Sequence, residues 1–293
     1  MKIKNVSSLV GPLSLGLFSL STLEGQSASV FAQAFTGEGN QMNSWIIGPV
    51  DTTTTPFQVV RGDGSSQHEL GDSGGNGTLE FSGTATASAG YSTLRAAASG
   101  SLTNSYYDKN YDFDSASGVP TAFYAQGTAE FAQTLAYGGT ANSYTSTYLL
   151  HLSGTISGSG RGAVIVELTH AMAPPQSWVY VMEGDFDLNI RSQAYVHGQF
   201  AQEFKLRINT LYSFDTDFLQ DGFDYSGAAD FGSTLQVVGI DLRDENGVLQ
   251  DQGTITSDSG AMFTIIAVPE PASALLTLSG LAFLAFVRSR RLP

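Results

Sequence analysis

The residues best suited to catalysis are three carboxylates at alternate positions after an apolar segment. Glu183, Asp185 and Asp187 follow the run Trp178–Met182, and one residue separates each carboxylate from the next. Alternate residues of an extended strand point to the same face, so the three carboxylates would lie side by side. Two carboxyl groups about 5 Å apart act as nucleophile and acid/base in retaining glycoside hydrolases. The competing interpretation is an acidic strand end without a catalytic role.

The segment Glu183–Asp187 resembles the Glu-x-Asp-x-Glu strand of laminarinase-type glycoside hydrolases. The resemblance implies a jelly roll in which Glu183 is the nucleophile, Asp185 orients it and Asp187 is the acid/base. Two positions depart from that pattern. Aspartate replaces the final glutamate and shortens the reach of the carboxyl group, and Gly184 replaces an aliphatic residue. We therefore predict a protein without catalytic activity and keep a laminarinase-like hydrolase as an alternative.

Oxygen ligands for a structural calcium ion occur in two acidic segments. Asn110, Asp112 and Asp114 stand at alternate positions, as the first three ligands of a calcium-binding loop do. Ser115, however, stands where an EF-hand-type loop needs glycine, and Thr121 where it needs a bidentate glutamate. A solvated acidic strand or turn is the competing interpretation. The same two interpretations apply to a second segment, with Asp215, Asp217, Asp221 and Asp224.

The remaining composition excludes several kinds of site and partner. The chain has no cysteine, which excludes thiol catalysis, iron–sulfur clusters and cysteine-bound zinc. Between residues 33 and 267 it has 8 basic and 25 acidic residues, a formal charge of −17, which argues against nucleic acid as a partner. Trp45, Trp178 and the 12 tyrosines are of the type that stacks on sugar rings, so a carbohydrate-binding module is a second alternative.

Short β-strands are the elements that must position these residues. From Thr78 onward, apolar and polar residues alternate with a period of two, and no helix-period stripe occurs. About a dozen strands with glycine-rich turns predict an all-β fold, a β-sandwich of jelly-roll-like form. A right-handed β-helix is the alternative, but it requires a repeat of fixed length, which the chain lacks.

Glycine positions predict where the strands are interrupted. Residues Gly62–Gly77 include six glycines and are predicted to form a loop or a locally mobile segment. Asn246 and Gly247 lie between two strand-like runs and predict a short hairpin. The Ser/Gly-rich segment before Gly162 predicts a wide connection between two strands, Thr147–Leu152 and Gly162–Thr169.

The N-terminus has the features of a signal peptide. Lys2 and Lys4 precede an apolar stretch over Val6–Leu23, and small residues follow. We predict cleavage after Ala32, with cleavage after Ser29 as the alternative.

The C-terminus combines a proline motif, an apolar run and a basic end. Val268, Pro269, Glu270 and Pro271 precede 16 uncharged residues, Ala272–Val287. As a helix this run is roughly 24 Å long, a short transmembrane span against about 30 Å of bilayer hydrocarbon. The tail closes with three arginines, Arg288, Arg290 and Arg291, which favour a cytoplasmic end and an exported body.

This order of parts resembles the PEP-CTERM protein-sorting signal of Gram-negative bacteria. The resemblance implies that an exosortase, a membrane transpeptidase-like enzyme, recognises Pro269-Glu270-Pro271 and cleaves near it. It also implies a transient inner-membrane anchor, delivery to the cell surface or extracellular matrix, and association with polysaccharide and biofilm.

These observations together predict an exported surface or matrix protein, structural or polysaccharide-associated. The predicted parts are a signal peptide (1–32), an irregular Gly/Ser/Thr-rich segment (33–77), a β-sandwich domain (78–267) and the sorting segment (268–293). We predict no cofactor other than the candidate calcium ion.

Overall fold

The computed structural model describes residues 28–39, 51–53, 57–72, 75–105, 122–138, 143–170, 173–197, 202–215, 224–250 and 254–267. All regular elements in these ranges are β-strands, and no helix there is long and apolar enough to cross a bilayer. The strands are β1 (Ser29–Gly39), β2 (Asp51–Thr53), β3 (Phe57–Asp72), β4 (Gly75–Gly90), β5 (Thr93–Asn104), β6 (Ala122–Gly138), β7 (Ser143–Gly158), β8 (Arg161–His170), β9 (Ala173–Tyr180), β10 (Gly184–His197), β11 (Gln202–Asp215), β12 (Asp224–Asp244) and β13 (Thr254–Ser257). The apolar run of the predicted signal peptide and the predicted C-terminal helix lie outside the described residues.

The strands form two antiparallel sheets. Sheet 1 has the order β2-β1-β6-β11-β8-β9, with β13 also paired to β6, and sheet 2 has the order β10-β7-β12-β5-β4-β3. Within the eight consecutive strands β5 to β12 the pairing is nested: β5 pairs with β12, β6 with β11, β7 with β10 and β8 with β9. A long hairpin rolled into two sheets in this way is a jelly roll, so the predicted β-sandwich of jelly-roll-like form is confirmed.

The core lies between the two sheets, as the period-two pattern predicts. In β11, residues alternate between buried and part-buried along the whole strand. Aromatic rings meet across the interface, with ring centroids 5.3 Å apart for Phe81 and Phe123 and 4.7 Å apart for Tyr148 and Phe204. Such aromatic contacts add to the stabilisation from apolar burial. A body without cysteine is therefore stabilised by packing.

The prediction of a loop over Gly62–Gly77 is wrong. β3 covers Phe57–Asp72, and its pairing with β4 extends from Phe57 to Asp72. The glycines permit a close approach, because a Cβ atom on Gly62 would lie 2.8 Å from the carbonyl oxygen of Ala34 in the opposite sheet. Glycine in a strand often marks such an approach of two backbones, and here that requirement outweighs the usual preference of glycine for loops.

The hairpin predicted at Asn246-Gly247 is present. Gly247 has a φ of +77°, and the backbone N–H of Asn246 and of Val248 each donate to the Asp244 carboxylate at 2.9 Å. Asp244 therefore stabilises a turn that requires the left-handed conformation at glycine.

Candidate functional site

The three alternating carboxylates lie beside the β9–β10 connection. Glu183 precedes Gly184, whose φ is +138°, and Asp185 and Asp187 follow on β10, an edge strand of sheet 2. All three residues are exposed, and the Asp187 carboxylate lies 3.6 Å from the Nε2 atom of His151. The catalytic roles considered for Glu183 and Asp187 stay predictions.

The candidate calcium ligands are divided between described and undescribed parts of the chain. Asn110, Asp112 and Asp114 lie outside the described residues, as do Asp217 and Asp221. The other two residues of the second acidic segment are described. Asp215 is the last residue of β11, and Asp224 is the first residue of β12. Within the ranges that the structure covers, no three histidine or acidic residues are grouped to hold a metal ion.

A pocket of about 260 Å³ opens at one end of the sandwich. Its walls are the β7–β8 turn, the end of β11 and the start of β12, so three distant segments of the chain build it. The lining residues are Ser159, Gly160, Arg161, Ser213, Phe214, Asp215 and Tyr225. We refer to it as the end pocket.

Hydrogen bonds fix the β7–β8 turn on one side of the end pocket. The backbone N–H of Ser159 donates to the carbonyl of Ser226 at 2.9 Å, and the N–H of Ser226 donates to Ser159 Oγ at 3.0 Å. The N–H of Gly160 donates to the hydroxyl of Tyr212 at 2.8 Å. These bonds satisfy backbone groups that the turn leaves outside the sheet ladder, and they hold the turn in one place.

Two glycines pack closely around Tyr212 beneath this turn. A Cβ atom on Gly227 would collide with the Tyr212 hydroxyl. Gly158 has a φ of +107°, and a Cβ atom there would collide with the backbone at Gly227. No larger residue fits at either position without movement of the wall. The end pocket is therefore preorganised by close packing as well as by hydrogen bonds.

The mouth of the end pocket carries an ion pair. The Nη1 atom of Arg161 lies 3.5 Å from the Oδ2 atom of Asp215, with side chains 59% and 29% exposed. An ion pair this exposed adds little to stability. Tyr225 lines the same pocket and is half-buried, because part of its side chain packs against the core.

The charge of Glu183 also acts at this end of the molecule. Burial raises the pKa of Tyr212, the hydrogen bond from Gly160 opposes the rise, and the negative charge of Glu183 adds to it. The charge of Glu183 therefore acts on Tyr212, whose hydroxyl accepts the hydrogen bond from the β7–β8 turn. Of the residues singled out in the sequence, the structure brings Asp215 into the end pocket.

Sequence reasoning missed most of the end pocket. Arg161, the first residue of β8, is the only charged residue in the Ser/Gly-rich segment 153–162, and that was an available signal. No sequence pattern around Tyr225 distinguishes it from the other tyrosines as a binding residue. Trp178, considered as a residue for stacking on sugars, is half-buried and packs against the core, as Tyr225 does, and it is not among the residues that line the end pocket. Trp45 lies outside the described residues.

Comparison with known proteins identifies the C-terminal segment. Residues 267–291 match the PEP-CTERM protein-sorting motif, which confirms the resemblance carried by Pro269-Glu270-Pro271. The match is confined to this segment and does not extend to the β-sandwich. No curated protein matches the chain.

One solved structure is similar over part of the chain. It is the structure of TmCBM61 in complex with beta-1,4-galactotriose, with 8% sequence identity, covering 65% of this chain and 90% of that chain, at a TM-score of 0.19. A likeness this low carries no argument about function.

Proposed function

We propose that this chain is an exported protein of the cell surface or extracellular matrix, and that its β-sandwich binds polysaccharide through the end pocket. The sorting motif indicates an exported protein that is processed by an exosortase at the membrane. The observation that carries the binding proposal is the preorganised end pocket, where Arg161, Asp215 and Tyr225 meet.

The side chains of the end pocket suit a sugar ring. A sugar has an apolar C–H face, which packs on an aromatic ring such as that of Tyr225. Its neighbouring hydroxyl groups both donate and accept hydrogen bonds, so they match a guanidinium donor beside a carboxylate acceptor, as Arg161 and Asp215 provide. A volume of about 260 Å³ lies just below the usual range of small-molecule pockets and suits one sugar residue.

Preorganisation and charge support the same ligand class. A wall that is already fixed loses little conformational entropy when a ligand binds. The formal charge of −17 on residues 33–267 repels strongly anionic polymers, so we propose a neutral polysaccharide. We also propose that the body has no catalytic activity and no metal cofactor in this role.

The test uses processed protein purified from a host that has its exosortase, with the extracellular polysaccharide of that host as the probe. Calorimetry should show binding that Tyr225→Ala and Arg161→Ala each weaken by about tenfold or more. Arg191→Ala, which removes an exposed arginine of β10, is the matched control and should bind as the wild type does.

Two results would contradict the proposal. Binding that survives both end-pocket substitutions would place the ligand elsewhere, and an absence of binding by the wild type would remove the polysaccharide role. The same mixtures should release no reducing sugar, and a release that Glu183→Gln abolishes would instead support the hydrolase.

A further inference from the structure

We infer that the outward-facing side of sheet 1 is an extended saccharide-binding surface that continues from the end pocket, so that the protein binds along a polysaccharide chain. This inference rests on the proposed function, because it extends the same ligand beyond a single sugar residue. The surface, called the platform below, consists of six outward-facing residues of β6, β8 and β11: Gln126, Glu130, Glu167, Lys205, Arg207 and Asn209.

The strand register joins the platform to the end pocket. Arg161 and Ser213, which line the end pocket, pair across β8 and β11. Leu211 and then Asn209 follow Ser213 on the same face of β11, because alternate residues of a strand share a face. A chain that enters the end pocket can therefore continue along β11 over the platform without crossing an edge of the sheet.

The platform side of sheet 1 is more sheltered from water than the corresponding side of sheet 2. Every outward-facing residue of β11, a central strand, is part-buried. In β12, a central strand of sheet 2, outward-facing residues such as Gln236 and Val238 are exposed. Polar groups in a sheltered position form stronger hydrogen bonds with a ligand than fully solvated groups do.

Ion pairs hold the charged residues of the platform in fixed orientations. Glu130 Oε1 lies 2.8 Å from the Nζ atom of Lys205. Arg207 lies between two carboxylates, with Nε 3.6 Å from Glu130 Oε2 and Nη1 3.4 Å from Glu167 Oε2. The side chains of Glu130 and Arg207 are only 16% and 18% exposed. Donors and acceptors fixed in advance in this way suit the paired hydroxyl groups of sugars.

An amide pair stands between these ion pairs and the end pocket. Gln126 Nε2 donates to Asn209 Oδ1 at 2.9 Å, which fixes both side chains. The bond leaves the oxygen of Gln126 and the amino group of Asn209 as one acceptor and one donor that a sugar hydroxyl can use. This pair is the part of the platform that a longer saccharide reaches first.

Aromatic rings border the platform on the β1 side. Phe35 is paired with Gln126, and its ring contacts that of Tyr124 edge-on with centroids 5.9 Å apart. Both are outward-facing and buried, and Tyr124 lies against Gly37, where a Cβ atom would be 3.5 Å from the hydroxyl. Because both rings are buried, this border packs beside the polar residues of the platform and offers a sugar no open aromatic face.

The test compares saccharides of different length. Extracellular polysaccharide from the host is partly hydrolysed and separated into single sugars and fragments of about six sugars, and each is titrated into the processed protein. We expect the longer fragment to bind at least about tenfold more tightly than the single sugar. Asn209→Ala and Gln126→Ala should each weaken binding of the longer fragment by about five- to tenfold and leave the single sugar unaffected.

The controls separate this inference from the proposed function. Gln236→Ala removes an exposed amide on the outward-facing side of sheet 2 and should change neither affinity. Equal affinity for both saccharides, or unchanged binding by both platform variants, would overturn the platform and leave the end pocket intact. An absence of binding to every fragment would overturn the proposed function and the platform with it. Thermal unfolding of each variant identifies any loss that arises from misfolding.

Discussion

His170 lies between the two sheets, where a neutral imidazole is stable and a charged one is not. The residue is 2% exposed, and its ring lies 5.0 Å from that of Tyr148 and 6.4 Å from that of Phe204. Its Nε2 atom is 3.2 Å from Ser192 Oγ, while its Nδ1 atom has no hydrogen-bond partner in the described part of the chain. Burial lowers the pKa of His170 from 6.5 to about 4.

This lowered pKa predicts a loss of stability in mild acid. In the unfolded chain the imidazole takes up a proton near pH 6.5, whereas in the folded protein it does so only near pH 4. The stabilisation is therefore complete above pH 6.5 and falls as the pH approaches 4, by about 3 kcal/mol in total. Denaturant unfolding at pH 7, 5 and 4 measures this decrease.

A phenylalanine variant isolates the contribution of His170. His170→Phe keeps an aromatic ring between Tyr148 and Phe204 but cannot take up a proton. If the wild type and this variant lose the same free energy of unfolding between pH 7 and pH 4, the carboxylates and not His170 cause the acid sensitivity.

At the scale of elements, the position of β1 favours one of the two predicted cleavage sites of the signal peptide. The strand begins at Ser29, and Val30 and Ala32 are 2% and 0% exposed in the core. β2 pairs with β1 only through Val30, Phe31 and Ala32. Cleavage after Ala32 would remove this pairing and two core side chains, whereas cleavage after Ser29 keeps all three residues.

We therefore expect the exported protein to begin at Val30. Intact-mass measurement of protein from the culture medium, with N-terminal sequencing, checks this directly. A body that begins at Gln33 should be less stable by about 3 kcal/mol, the cost of losing one buried valine and one buried alanine. An exported protein that begins at Gln33 and unfolds at the same denaturant concentration would contradict this expectation.

The strands and their arrangement were largely predictable, and the binding residues were not. Period-two alternation identifies β8 and β11 because each has one face in the core. The part of β3 from Gly62 onward was missed because the glycines that permit its approach to β1 have the composition of a loop. Arg161, Asp215 and Tyr225 come from separate strands, and only the nested pairing of the jelly roll brings them together. The spacing of these three residues along the chain does not predict that they lie close together.

At the scale of the whole molecule, the sorting motif at residues 267–291 indicates an exported protein that is handled at the membrane. We expect a variant with Pro269→Ala and Pro271→Ala to remain uncleaved in the membrane fraction of a host with its exosortase. The wild type should lose its C-terminal segment and appear outside the inner membrane. Fractionation with immunoblotting and mass measurement follows both forms.

A substitution in the body serves as the control for sorting. Glu245 is exposed in the turn that follows β12. We expect Glu245→Ala to be cleaved and released as the wild type is. Normal release of the proline variant would show that recognition does not depend on Pro269-Glu270-Pro271. Retention of the wild type would show that the motif is not processed in that host.

The nested strand pairing also limits how early the body can fold. β5 pairs with β12, with Thr103 opposite Asp224 and Thr93 opposite Gln236. β5 therefore cannot form all of its hydrogen bonds in sheet 2 until β12 has been synthesised. Folds dominated by such non-local pairs form slowly, on a timescale of milliseconds to seconds or longer. A chain that folds this late remains unfolded while it is threaded through the membrane. We therefore expect the topology of the jelly roll to keep the body unfolded until β12 has been synthesised, which is the state that threading through a membrane requires.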